Sequence, residues 1–174
     1  MKRIAVMIVA CMCALLLTMC NNKDNPATSS VAVRMKDAPS IECQKARLEI
    51  KGIRIFVNGQ WETVPMNDTI IDILQLRDTS ALMGILNVSS GTITQVDITF
   101  GDADTVRVGG ADFLLTMSTT DLILHVNDTI TPNSLFTLLI DIKAAESIFD
   151  GDNDGIHHHF GFIGSASCGW RRGH

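Results

Sequence analysis

The sequence predicts an all-β fold, an antiparallel β-sandwich carrying one or two short helical turns. Three observations point there. From Val31 onward apolar residues alternate with polar ones instead of recurring every third or fourth position, turn-forming residues separate these runs at short intervals, and an Asn-Gly pair sits between two of them. Period two marks strands with one buried face. Many such strands joined by short turns argue for a sandwich.

Taken in order, the first run is Val31, Val33 and Met35. It ends at Asp37-Ala38-Pro39, because proline has no amide to donate and restricts the residue before it. Asp37 is placed to cap that turn. The second run is Leu48, Ile50, Ile53, Ile55 and Val57, followed by Asn58-Gly59 and then Trp61-Glu62-Thr63-Val64. Asn-Gly accepts the positive φ angles of a two-residue turn, so this is the clearest hairpin in the chain. A helical turn is expected near Ile73 to Leu76 and another within 143–149. Alternation returns at 92–100, 105–108, 113–115, 122–126 and 136–142. Turn signals divide these runs at Ser89-Ser90-Gly91, Gly101-Asp102, Gly109-Gly110 and Asn127-Asp128. Asp141, between Ile140 and Ile142, faces away from the core in such a strand, as an exposed residue or a cap. No internal repeat is visible.

The amino terminus has a different character. Met1-Lys2-Arg3 precedes an uncharged apolar stretch over 4–19, which is the order of a signal peptide. The stretch is shorter than the roughly 20 residues that cross a bilayer, and no basic stop-transfer cluster follows. Leu17-Thr18-Met19-Cys20 resembles a lipobox, with Met19 in place of the usual small residue. Cleavage before Cys20 and lipid on its sulfur and amine would give enough acyl chains for stable membrane residence. The expected organisation is a lipoprotein signal peptide at 1–19, the lipidated cysteine and a flexible polar tether at 20–30, a β-sandwich at 31–149, and an Asp/Gly turn with a His-rich tail at 150–174. Loss of Lys2 and Arg3 leaves 12 of the 14 basic residues against 19 acidic ones, so the formal charge falls from −5 to −7. That balance argues against nucleic acid and anionic lipid surfaces as partners. Of five cysteines only Cys43 and Cys168 belong to the sandwich and tail. They are either a disulfide or separate thiols, with Cys43 serving as a small buried hydrophobe.

Several segments occur in an order that resembles a family of bacterial envelope lipoproteins catalogued as a domain of unknown function. They are Val33-Arg34-Met35-Lys36-Asp37-Ala38-Pro39, Trp61-Glu62-Thr63-Val64-Pro65, Ile71-Asp72-Ile73-Leu74-Gln75-Leu76, Gly91-Thr92-Ile93-Thr94-Gln95-Val96 and the stretch from Leu138 to Ile148. The resemblance implies an extracytoplasmic sandwich of immunoglobulin-like or carbohydrate-binding-like type, and it supplies no catalytic residues. The tail departs from the family's closing strand with its Lys-Pro-Val core. Here the chain has Ile156-His157-His158-His159-Phe160 and ends Trp170-Arg171-Arg172-Gly173-His174, leaving open a native variant, a frameshift or a truncation.

Four patterns are candidates for chemistry. Asp150, Asp152 and Asp154 alternate ahead of Gly155, like the first half of a calcium loop, but the twelfth position is Gly161 where a bidentate glutamate belongs. A solvated Asp/Gly turn is the simpler explanation. His157 and His159 would share one face of a strand and, with Asp154 or His174, present nitrogen and oxygen to a borderline metal; an exposed polar tail is the simpler explanation. Thr69, Thr105 and Thr129 each lie between an aspartate and a β-branched hydrophobe, a pattern similar to bacterial envelope O-glycosylation acceptors. Asp-Thr also suits turns that lead into strands. Trp61, beside the hairpin, is a platform for a sugar ring if it is exposed. No G-x-S-x-G elbow, phosphate loop, dinucleotide fingerprint or haem motif occurs. His125, inside an apolar run, is a sheet residue rather than a base.

These readings combine into one expectation: a non-enzymatic lipoprotein, anchored by lipid to the outer membrane, that binds a glycan or envelope polymer and needs no cofactor. The alternative is a structural or assembly module lending sheet edges or a face to an envelope protein complex. A metal-dependent enzyme built on the tail is third. An exposed Trp61 in a groove favours the first, and an open, uncharged edge strand favours the second.

Overall fold

The computed structural model describes residues 27–37, 43–143 and 148 in full, together with the backbone of 149–150, 160–162 and 166–172. Among these residues the strands are β1 (Thr28–Asp37), β2 (Lys45–Val57), β3 (Gln60–Thr63), β4 (Thr69–Asp72), β5 (Ala81–Ser89), β6 (Gly91–Phe100), β7 (Thr105–Val108), β8 (Ala111–Met117), β9 (Asp121–Ile130), β10 (Leu135–Ile142), β11 (Ile148–Asp150), β12 (Phe160–Phe162) and β13 (Ala166–Arg172). They form the two sheets of a β-sandwich. One sheet has four strands in the order β13-β10-β1-β5; the other has nine, in the order β11-β12-β8-β7-β2-β6-β9, with β3 and β4 also paired to β2. Pairing is antiparallel except between β1 and β10 and between β12 and β8. Those two pairs join strands far apart in sequence, where no tight turn dictates direction.

Alternation builds the core as expected. Val31, Val33 and Met35 of β1 and Phe136, Leu138, Ile140 and Ile142 of β10 are buried from one sheet, with Leu48, Ile50, Ile53, Ile55, Ile93, Val96 and Ile98 buried from the other. The hairpin also forms where the sequence places it. Asn58 (φ 51°) and Gly59 (φ 83°) make the two-residue turn between β2 and β3, and the positive φ at both positions is what Asn-Gly tolerates. The Asn58 amide also ties this tip to the β5–β6 turn, donating to the Ser90 carbonyl (3.0 Å) and accepting from the Thr92 amide (3.1 Å).

The structure departs from the expected elements in three places. β5 is a nine-residue strand that the alternation does not announce. Its register against β1 shifts between Val33 and Arg34, so Met83 and Leu86, three apart, are both buried. An extra residue of this kind breaks period two. At the bulge, a side-chain carbon on Gly84 would fall 2.4 Å from the Pro65 carbonyl oxygen, so only glycine fits there. The second departure is Asn127-Asp128, which is no turn: β9 runs through it, and a register shift opposite Ile93 and Gln95 absorbs the irregularity. Third, the helical turn over Ile73–Leu76 is present as one 3-10 turn, whereas residues 144–147 of the second expected turn lie outside the described residues and Ile148–Asp150 is strand. Asp37, expected to cap the turn after β1, is buried at the end of that strand, and residues 38–42 that follow it lie outside the described residues. Beyond residue 149, β12 pairs with β8 and β13 pairs with β10, the latter placing Cys168 opposite Ile140.

Candidate functional site

The side chains proposed for lipid and metal chemistry, Cys20, Asp150, Asp152, Asp154, His157 and His159, lie outside the described residues. Within them, no group of three His, Cys, Asp or Glu residues is arranged to hold a metal, and no helix is long and apolar enough to cross a membrane. Cys43 is half-buried against the core.

Trp61 stands on the outer face of the nine-stranded sheet and is 36% exposed. Cross-strand pairing sets it beside Phe56, with ring centroids 5.0 Å apart and planes at 58°. The Arg54 guanidinium lies over the indole at 5.1 Å from the centroid and is held there by Asp97, whose Oδ2 accepts from Nε at 3.0 Å and from Nη2. Asp97 is buried under this pair. The indole therefore packs beside Phe56 with a cation over one face.

The three Asp-Thr pairs share a sequence and little else. Thr69 is exposed at the start of β4, behind an Asp68 that pairs with Lys51 at 3.3 Å. Thr129 is exposed inside β9, where its amide donates to the Asp128 carboxylate at 2.8 Å. Thr105 is half-buried at the start of β7. Asp104 before it is only 1% exposed.

Asp104 has the most perturbed environment of the described carboxyls. Its Oδ1 accepts from the Glu49 amide at 2.7 Å and its carbonyl accepts from the Leu115 amide at 3.0 Å, while Oδ2 has no hydrogen-bond partner among the described residues. Burial pushes the carboxyl up from the ordinary 3.8 to about 6; the Glu49 amide pulls it back, and the carboxylates of Glu49 and Asp102 push it further up. The residue borders a groove of about 310 Å³ with Asp102, Leu114, Thr116, Met117 and Thr120. Among the described residues, no histidine, cysteine or serine lines it to take or relay a proton.

A larger groove, about 480 Å³, crosses the outer face of the four-stranded sheet. Arg34 and Lys36 enter from β1, Thr137 and Leu139 from β10, and Arg77, Asp78, Thr79 and Ser80 from the segment leading into β5. Asp141 points outward as its position between two isoleucines requires, and it holds Lys36 at 2.5 Å.

Among the described residues, each edge strand of the larger sheet contains an acidic residue: Glu62 in β3, Asp72 in β4, Asp121 and Asp128 in β9, and Asp150 in β11. In the smaller sheet, β13 carries Arg171 and Arg172. β5 carries no charged residue, and among the described residues nothing pairs with its outer side. Its outward side chains include Leu82 at 50% and Ile85 at 51% exposure, and Leu135 of β10 (54%) shares that face. None of Arg34, Leu82, Ile85 or Asp104 stands out in the sequence as a site. The available signals were the basic residues at alternate positions of β1 and the uncharged run at 81–89.

In comparison with known proteins, the family model described as a domain of unknown function (DUF4382) matches residues 28–157. No curated protein and no solved structure matches the chain.

Proposed function

We propose, from the premise that the chain belongs to the DUF4382 family, that it is an exported, non-enzymatic lipoprotein whose sandwich is an assembly module. Lipid on Cys20 holds it to the cell envelope, and the bare edge of β5 accepts a strand from a neighbouring envelope polypeptide. The observation that carries this is the contrast among edges: β5 alone among the described edge strands has no charge, and it presents Leu82 and Ile85 to solvent. Long edges are ordinarily blunted by charge, proline or a bulge that twists them away, because unpaired backbone groups recruit other chains. Adding a strand satisfies those groups and covers the apolar side chains together.

The test uses the full chain in its own envelope. Ile85→Lys places a charge in the middle of the edge without touching the core. In native electrophoresis of detergent-solubilised envelopes, the wild-type chain should run in a complex and Ile85→Lys at the mass of the chain alone. Identical migration of the two would remove the proposal. Separately, Cys20→Ala should leave the membrane fraction; retention there would contradict the anchor.

A second reading, glycan binding at Trp61, is favoured by one observation, the exposed indole packed beside Phe56 and Arg54. It predicts that glycan-array binding by the full chain is lost in Trp61→Ala. Binding that survives the substitution excludes Trp61 as the platform.

A further inference from the structure

We infer, resting on the strand acceptance proposed for β5, that the strand it accepts is β5 of a second copy of this chain, paired antiparallel about a twofold axis at Ile85. Two copies then join their four-stranded sheets edge to edge into one continuous sheet.

Charge is the first reason. The chain carries 19 acidic residues against 14 basic ones, so two copies repel one another over most of their surfaces. They can approach where charge is missing. No charged residue occurs from 79 to 96, a stretch that contains all of β5 and the turn into β6. In a twofold antiparallel pair each residue of the edge faces a residue of the same strand, so an uncharged strand meets no like charge in any register. The same pairing at β9 would bring Asp121 and Asp128 of both copies onto one strand pair. An edge kept for a different polypeptide needs a charge or a proline against its own copy, because that copy is always present. β5 has neither.

Side chains fit the same axis. Ile85 is the fifth of the nine residues of β5, so full overlap sets it opposite itself. The next pair brings the buried Leu86 of one copy beside Gly84 of the other, a long side chain against none, on the inner face. Beyond it the bulge at Met83 is passed over, and Leu82 comes beside Asn87 on the outer face. Ile85 and Leu82, each about half exposed in one copy, are partly covered by the other.

The pairing also closes. Once two β5 edges meet, neither copy has a bare one left, and the joined sheet ends on β13 at both sides, each carrying Arg171 and Arg172. Like charges at the two ends stop further addition, so the product is a dimer rather than a filament. One pair of nine-residue strands is a modest contact. Lipid on Cys20 holds both copies on one surface at high effective concentration, and dilution of the extracted chain separates them.

Energy transfer between donor- and acceptor-labelled copies tests the pairing, using the purified, lipidated full chain in vesicles of phosphatidylethanolamine and phosphatidylglycerol that hold no other protein. Wild-type copies should give at least fivefold more transfer than Ile85→Lys copies at the same surface density. Ile85→Glu alone should be as silent as Ile85→Lys, whereas a mixture of the two, where opposite charges meet across the axis, should regain at least half of the wild-type signal. Ile123→Lys, at an exposed site on β9, should keep that signal, and thermal melts confirm that each variant is folded. No transfer in the wild type, transfer indifferent to Ile85→Lys, a silent mixture, or loss of transfer in Ile123→Lys would each overturn the second copy as partner. Silent vesicles with an envelope complex that Ile85→Lys still abolishes would leave strand acceptance standing with a different polypeptide. Silent vesicles with no such complex would remove both.

Discussion

β5 and β9 are both long edge strands, of nine and ten residues, and they are finished in opposite ways. β9 carries Asp121, His125 and Asp128 and is interrupted by a bulge opposite Ile93 and Gln95. Its Asp121 also accepts from the Thr99 hydroxyl at 2.8 Å, so the charge is built into the edge. β5 has a bulge too, likewise on the side paired to its neighbour, but the strand carries no charge. One chain thus protects one edge and leaves another bare. The difference teaches that the bare edge is a feature of the molecule rather than a general neglect of edges, since selection against aggregation acts on both.

If the contrast is confined to edges and polar insertions, the interiors of the two sheets should respond alike. Ile140→Ala in the four-stranded sheet and Ile98→Ala in the nine-stranded one, both fully buried, should each lose about 3–4 kcal/mol in urea unfolding. A loss below about 1 kcal/mol at Ile140 alone would mean that the smaller sheet is loosely packed and the contrast runs through the core.

The next effect belongs only to the larger sheet. Folded Asp104 keeps its proton up to about pH 6, against an ordinary 3.8, so between those values the folded state binds the extra proton. Its contribution to stability is fully present below about 3.8, declines as pH rises through the interval and levels off above about 6. Asp104→Asn should remove on the order of 2 kcal/mol of this pH dependence, measured by urea unfolding at pH 4 and 7. An unchanged slope would show that Asp104 is not the group responsible.

The smallest effect on stability, and the sharpest on the contrast, is expected at β5 itself. Ile85→Lys on the exposed face should change unfolding free energy by no more than about 0.5 kcal/mol while removing the chain from its complex. A large loss of stability would instead make Ile85 part of the fold.

How much of this was legible in the sequence depended on how local the cause was. The Asn58-Gly59 hairpin and the alternation of β1 and β10 rest on neighbouring residues, and both appear as expected. β5 was hidden because its bulge is set by the register of β1, some fifty positions earlier in the chain. Asn127-Asp128 looked like a turn because a bulge uses the same residue types as a turn. The grooves were illegible for the same reason as β5: Arg34 and Ser80 meet across 46 positions, and only strand order brings β10 alongside them. Burial of Asp104 likewise follows from packing against Glu49 and Leu115, whereas the similar Asp68 and Asp128 stay at the surface.

Hydrogen exchange resolved to β5 and β9, compared between the full chain in its native envelope and the same chain extracted and separated from other proteins, tests strand acceptance most directly. The account predicts slow exchange of the β5 amides in the envelope and fast exchange of its outward amides after separation, with β9 unchanged. Equal exchange of β5 in both states, or protection that moves to β9 instead, would contradict it.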